Sequence, residues 1–124
     1  MQGNSSSKKL EVTWRFPDKE KSVCVVDLNG FIDKHTINVL DEVIEKITRD
    51  STPKLVVNCG GLTYISSNGI GVFIFYLPKV RKAKGDIKFC NLQNQGKTLL
   101  TVLGLHNMFE TFDSEEKAVL SFAK

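Results

Sequence analysis

Two short apolar runs rich in β-branched residues, SVCVVDL at 22–28 and KLVVNC at 54–59, flank a segment with a helical apolar period. Within that segment Ile37, Leu40, Val43, Ile44 and Ile47 share one face, with acids and lysines opposite. Strand, amphipathic helix and strand in that order leave few options. The helix carries the chain back, so the two strands run parallel and are joined by a right-handed crossover. Their near-continuous apolar character marks strands covered on both faces. The chain is therefore of the α/β class, with helices packed on a sheet.

The flanking segments extend this layout. Residues 1–9, MQGNSSSKK, are polar and read as a flexible tail, and 10–124 as a single domain. LEVTWRF (10–16) alternates and reads as a half-buried edge strand, ended by the turn PDKEK. The dipeptide NG at 29–30 reads as a turn opening toward the first helix. A second helix is expected from about Asn68 to Ala83, where Pro78 removes one backbone hydrogen bond and crowds the Ile74 carbonyl. A kink or an early end is expected there. GDIKFCNL (85–92) gives a turn and a strand, and GKTLLTVLGL (96–105) a shorter helix closed by Gly104. FDSEEKAVLSFA reads as a last helix, with Asp113 and Glu116 spaced as a capping box. The expected order is β-β-α-β-α-β-α-α.

Length and charge narrow the function. A chain of 124 residues suits one core and not two domains closing on a cleft. The net charge of +3 is a mild excess, short of a nucleic-acid footprint. The basic stretch KVRKAKG (79–85) sits at a helix end, where cations complement the macrodipole. Cys24, Cys59 and Cys90 are far apart and each lies in a strand-like run, as free thiols in a reducing compartment do. No apolar run approaches the length of a membrane span. A cytoplasmic protein that inserts into no membrane and binds no nucleic acid is expected.

Chemistry concentrates in GLTYISSNGIGV (61–72), a hydroxylated turn between a buried strand and an apolar helix. Ser67 as a hydrolase nucleophile needs a glycine at position 65, where Ile stands, and a histidine base. His35 and His106 both lie in polar, surface-like contexts. NQGKT (94–98) follows a strand as a phosphate loop would, but Asn91 takes the place of its first glycine. The histidines and cysteines lack metal-ligand spacing. No catalytic set, metal site or cofactor site emerges from these residues.

One hydroxyl, from Ser66 or Ser67, suffices to cap the second helix, a contribution of about 1 kcal/mol. Capping leaves Gly69 and Gly71 unexplained, since each costs about 1 kcal/mol against alanine in a helix. Bare backbone lets another molecule approach closely. A helix N-terminus also tolerates a phosphate, whose charge its N–H groups and dipole favour.

At these residues the chain resembles the STAS domain of bacterial anti-sigma factor antagonists, from about Leu10 to Phe122. DLNGFIDKHTINVLDEVI is similar to the family's second strand, loop and first helix, and KLVVNCGGLTYISSNGIGVFI to its third strand and phosphorylation loop. GDIKFCNLQNQGKTLLTVLGLHNMFETFDSEEKAV is similar to the remainder. The resemblance implies a mixed β-sheet with crossover helices, a single STAS domain over 10–124. It implies a partner that is both an anti-sigma factor and a serine kinase of the GHKL type, and a metal-dependent serine phosphatase that reverses the mark. Aligned on the family's motif, the acceptor is Ser67, with Ser66 the second candidate. The chain is then a kinase substrate and not an enzyme, with ATP and magnesium on the partner. The implied docking surface comprises Asn29, Gly30, Asp33, Asn58, Ser66, Ser67, Asn68, Gly69 and Gly71. Ser66 and Asn58 stand where the family often has Asp, which removes negative charge around the acceptor. A constitutive STAS interaction module in another bacterial signalling complex is the alternative, and a small serine hydrolase the more remote one.

Overall fold

A computed structural model describes residues 2–6, 9–20 and 22–123 of the chain. The β-branched runs and the amphipathic segment form the expected parallel unit: β3 (Cys24–Ile32), α1 (Ile37–Asp50) and β4 (Lys54–Ile65). Alongside them lie β1 (Gln2–Ser6), β2 (Leu10–Arg15), α2 (Ser67–Lys82), β5 (Asp86–Cys90), α3 (Asn94–Val102), β6 (Thr111–Phe112) and α4 (Glu115–Ser121). The strands form one sheet in sequence order, β1-β2-β3-β4-β5-β6. The first two pairings are antiparallel and the other three parallel.

Both faces of β3 are covered, as its apolar run implied. Cys24, Val26 and Leu28 join the main core with Leu40, Val43, Ile44 and Ile47 of α1 and Ile70, Phe73 and Leu77 of α2. Val23 and Val25 face the other way, into a smaller cluster with Val56, Cys90 and Ala118 of α4. Edge-to-face contacts Phe73–Phe89 and Phe89–Phe109, each with centroids 5.1 Å apart, fill the main core beneath α2.

Several expectations change. Residues 2–6 of the expected tail form β1, pairing antiparallel with 11–15. Backbone groups pair whatever the side chains, and a Cβ on Gly3 would overlap the Trp14 ring. β2 is therefore an inner strand. Residues 29–30 form no turn, because β3 continues through them to Ile32. Likewise β4 runs on through Gly60 and Gly61 to Ile65. The helix α2 passes Pro78 and ends at Lys82. Pro78 itself is exposed, on the outer side of the helix. The cap of α4 is Ser114, whose Oγ accepts from the Lys117 N–H, in place of Asp113. Gly104 does close α3, at φ +72°, just after the C-cap Leu103.

Candidate functional site

Beyond Asn58, β4 loses its β5 neighbour, and beyond Gly30, β3 loses β2. The ends of β3 and β4 thus project as a two-stranded parallel ribbon, with Asn29 beside Gly61, Gly30 beside Leu62 and Ile32 beside Ile65. Register shifts at Asp27/Asn29 and Gly30/Phe31 mark extra residues in β4. They space its buried positions as Cys59, Leu62 and Ile65. Chain turns at the ribbon's tip lead into α1 from β3 and into α2 from β4.

The tip resolves the ambiguity between the two serines. The Ser66 N–H donates to the Ile32 carbonyl at 2.9 Å. Its Oγ accepts from the Gly69 N–H at 3.1 Å and its carbonyl from the Ile70 N–H, which makes Ser66 the N-cap. Ser67 is then the first residue of α2. It is exposed, and its hydroxyl has no hydrogen-bond partner among the described residues. Asn68 beside it is exposed too. The first turn of α2 contains no acid, so its positive dipole end is uncompensated.

The two glycines differ in role. Gly69 is buried, and a Cβ there would lie 2.7 Å from Ile32 Cγ2 and 2.8 Å from Ile65 Cγ1. It lets the helix start seat on the ribbon, so it does not offer backbone to a partner. Gly71 has open space where a Cβ would stand. Only this glycine fits the outward-facing reading.

Two other sequence candidates serve the fold internally. Gly30 adopts φ +121°, and a side chain there would strike the Lys9 carbonyl. Asn58 lies on the order of 20 Å before the tip, at ~3.3 Å per strand residue. Its Nδ2 donates to Asp27 Oδ1 at 2.8 Å, and its Oδ1 accepts from Asn91 Nδ2 at 3.0 Å and from the Gly60 N–H at 3.1 Å. Arg15 completes this row, donating to Asp27 at 3.0 Å and to Glu115 at 2.8 Å. The hydrogen-bonded carboxylates of Glu115 and Asp27 hold the guanidinium even more firmly protonated than usual. Asn58 thus ties β3 and β4 to Asn91, the residue that follows β5.

Asn29 is exposed and Asp33 half-buried. Asp33 accepts the His35 N–H at 2.8 Å and opens the turn toward α1, one residue past Ile32. Neither His35 nor His106 hydrogen-bonds Ser67 among the described residues. Lys97 of the NQGKT segment is exposed on α3. Among the described residues no group of three acid, histidine or cysteine side chains is placed to hold a metal ion, and no helix is long and apolar enough to cross a membrane.

Two residues at the tip carry no signal in the sequence. Tyr64 is 45% exposed on the ribbon, because the second register shift turns it outward. Gln95, from the first turn of α3, hydrogen-bonds both backbone groups of Ile65 at 2.9 Å. Its partner lies 30 residues away in sequence, beyond the reach of any local pattern.

Comparison with known proteins agrees with this architecture. The STAS domain model matches residues 17–118. The anti-sigma F factor antagonist of Paenibacillus polymyxa is 24% identical over 103 residues, covering 82% of this chain and 88% of that protein. A solved anti-sigma factor antagonist from Mycobacterium paratuberculosis superposes with a TM-score of 0.84 at 21% identity, over 97% of this chain and 99% of that one. The Bacillus cell fate determinant SpoIIAA, solved in its phosphorylated form, superposes with a TM-score of 0.67 at 17% identity, over 87% of this chain and 96% of that one.

Proposed function

The chain belongs to the STAS domain family, and from that premise we propose that it is an anti-sigma factor antagonist switched off by phosphorylation of Ser67. The observation that carries this reading is the division of labour at the tip: Ser66 is consumed as the helix cap, and Ser67 presents a free, exposed hydroxyl at the first helical position. The names of the similar proteins, and a SpoIIAA structure in phosphorylated form, support it.

In this reading the chain supplies an acceptor and performs no catalysis. The partner is an anti-sigma factor that is itself a GHKL-type serine kinase, and it brings the ATP, the magnesium and the base. Ser67, Asn68 and Gly71 present the docking face on α2, with Asn29 and Tyr64 on the ribbon and Asp33 in the turn that follows it. A phosphoserine carries about −1.5 to −2 charges at pH 7. At the helix start that charge meets free N–H groups and an uncompensated dipole, so the fold accepts it. Against a docked partner it must be desolvated, at a cost of several kcal/mol without an arginine to pair it. Since about 1.4 kcal/mol is a factor of ten in affinity, the partner is released. A metal-dependent serine phosphatase restores the hydroxyl. The setting is the cytoplasm of a bacterium.

The test is intact-mass analysis of the protein isolated from growing and from stressed cells, beside a Ser67→Ala version. A one-phosphate shift that disappears in Ser67→Ala is expected. A shift that persists in the variant moves the acceptor to Ser66, and no shift in any condition leaves a constitutive interaction module.

A further inference from the structure

At the ribbon's tip Ile65 is buried, and its strand has lost β5 as a neighbour. The ladder to β3 uses the next residue's N–H, that of Ser66, bonded to the Ile32 carbonyl. In a strand, alternate residues direct their backbone groups to opposite edges, so those of Ile65 face the vacant side. Gln95 fills it. Its Oε1 accepts the Ile65 N–H and its Nε2 donates to the Ile65 carbonyl, both at 2.9 Å, as a neighbouring strand would. The side chain stands on a firm base, because α3 is held by buried Leu100 and by buried Gly96, whose Cβ would press on Leu92 at 2.9 Å.

We propose that Gln95 is the positioning residue of the acceptor turn, fixing the end of β4 so that residue 67 sits at the N-terminus of α2. Ser66 and Ser67 follow Ile65 directly, so a displacement of Ile65 is passed to them without an intervening joint. The helix α3 thereby becomes part of the switch: whatever moves α3 moves the acceptor against its helix dipole. This rests on reading Ser67 as the acceptor. A merely structural amide would stabilise the strand edge and leave the chemistry at position 67 unchanged.

Ser67→Cys converts the acceptor into a reporter. The three native thiols are buried, and burial pushes each of their pKa values up, so they stay silent in the folded protein. A helix N-terminus favours the thiolate, so the alkylation rate with iodoacetamide reads the local field. In the Ser67→Cys background, Gln95→Met is expected to slow alkylation at pH 7 about threefold and to move the rate–pH profile upward. Access is not what changes, because residue 67 is already exposed. Exchange of the Ser66, Gly69 and Ile70 amides, which hold the turn, is expected to quicken by about tenfold relative to the core strands. Val102→Ala alters an exposed position at the far end of the same helix, leaving its seat and Gln95 in place, and is expected to leave both readings at the parent values. A folded Gln95→Met protein with parental alkylation and exchange overturns the proposal. Should Gln95→Met not fold, Gln95→Asn, with its amide one carbon short, is read by the same two measurements. The absence of phosphate in the native protein would sink the Ser67 switch without altering the alkylation of the Ser67→Cys variant, so the two failures are separable.

Discussion

Gly69 and Gly71 look alike in the sequence, two helix-disfavouring residues in one turn. What lies behind each separates them. Alanine at 69 must displace Ile32 and Ile65 side chains from a buried seat, and overpacking of this kind costs about 1–3 kcal/mol. Alanine at 71 meets nothing and gains helix propensity, a stabilisation of up to about 1 kcal/mol. Urea unfolding is therefore expected to move the midpoint down for Gly69→Ala and up or not at all for Gly71→Ala. In the switch reading Gly71→Ala also weakens kinase docking, because its methyl enters the contact face. Equal destabilisation by both variants would show that the turn is not seated as described. The serines divide in the same way. From the sequence either hydroxyl could cap, and only the bond from the Gly69 N–H to Ser66 Oγ decides it. Ser66→Ala is expected to cost about 1 kcal/mol in the same titration and Ser67→Ala almost nothing.

At the scale of elements, α1 was legible because its apolar period is regular and one-sided, and Leu40, Val43, Ile44 and Ile47 are all buried. The ends of β3 and β4 were not. Their register shifts break the two-residue alternation that identifies a strand, and the glycines at 30, 60 and 61 imitate turns. The hydroxylated turn was therefore visible in the sequence while the ribbon that carries it, and the Gln95 support, were not. Nor does propensity reveal how α2 is tied to α1, which depends on the Tyr76 hydroxyl donating to Asp41 Oδ1 at 3.1 Å. Desolvation, reinforced by the nearby Asp41 carboxylate, pushes the Tyr76 pKa up to about 12 from 10.0. The folded state thus holds this proton more tightly than the unfolded chain. The resulting stability is fully present below pH 10 and is lost as the pH rises toward 12. Tyr76→Phe is expected to cost about 0.5–1.5 kcal/mol at neutral pH. Over that alkaline window its stability is expected to fall less steeply than the parent's, measured by urea titration at each pH. Parallel pH profiles for the two proteins would remove Tyr76 as the cause.

For the whole molecule, the sheet separates what must be rigid from what must be read. One face carries the main core under α1 and α2, and the other carries α4 and the polar row from Arg15 through Asp27 and Asn58 to Asn91. Ser67 lies at the tip, beyond both. In the switch reading, a charge added at Ser67 therefore acts on the partner and not on the core. At the start of a helix without acids in its first turn, a dianion contributes about 0.3–1 kcal/mol of stability. Phosphorylated protein is accordingly expected to unfold at a urea concentration equal to or slightly above that of the unphosphorylated form. In the switch reading its affinity for the kinase partner, measured by calorimetric titration, is expected to fall at least about tenfold, since several kcal/mol of desolvation oppose docking. Ser67→Asp, with a smaller charge, is expected to follow in both respects, whereas a constitutive module would bind unchanged. The two measurements must diverge. If affinity and unfolding midpoint fell together, the phosphate would be working by loosening the fold, and the rigid tip would not be the basis of the switch.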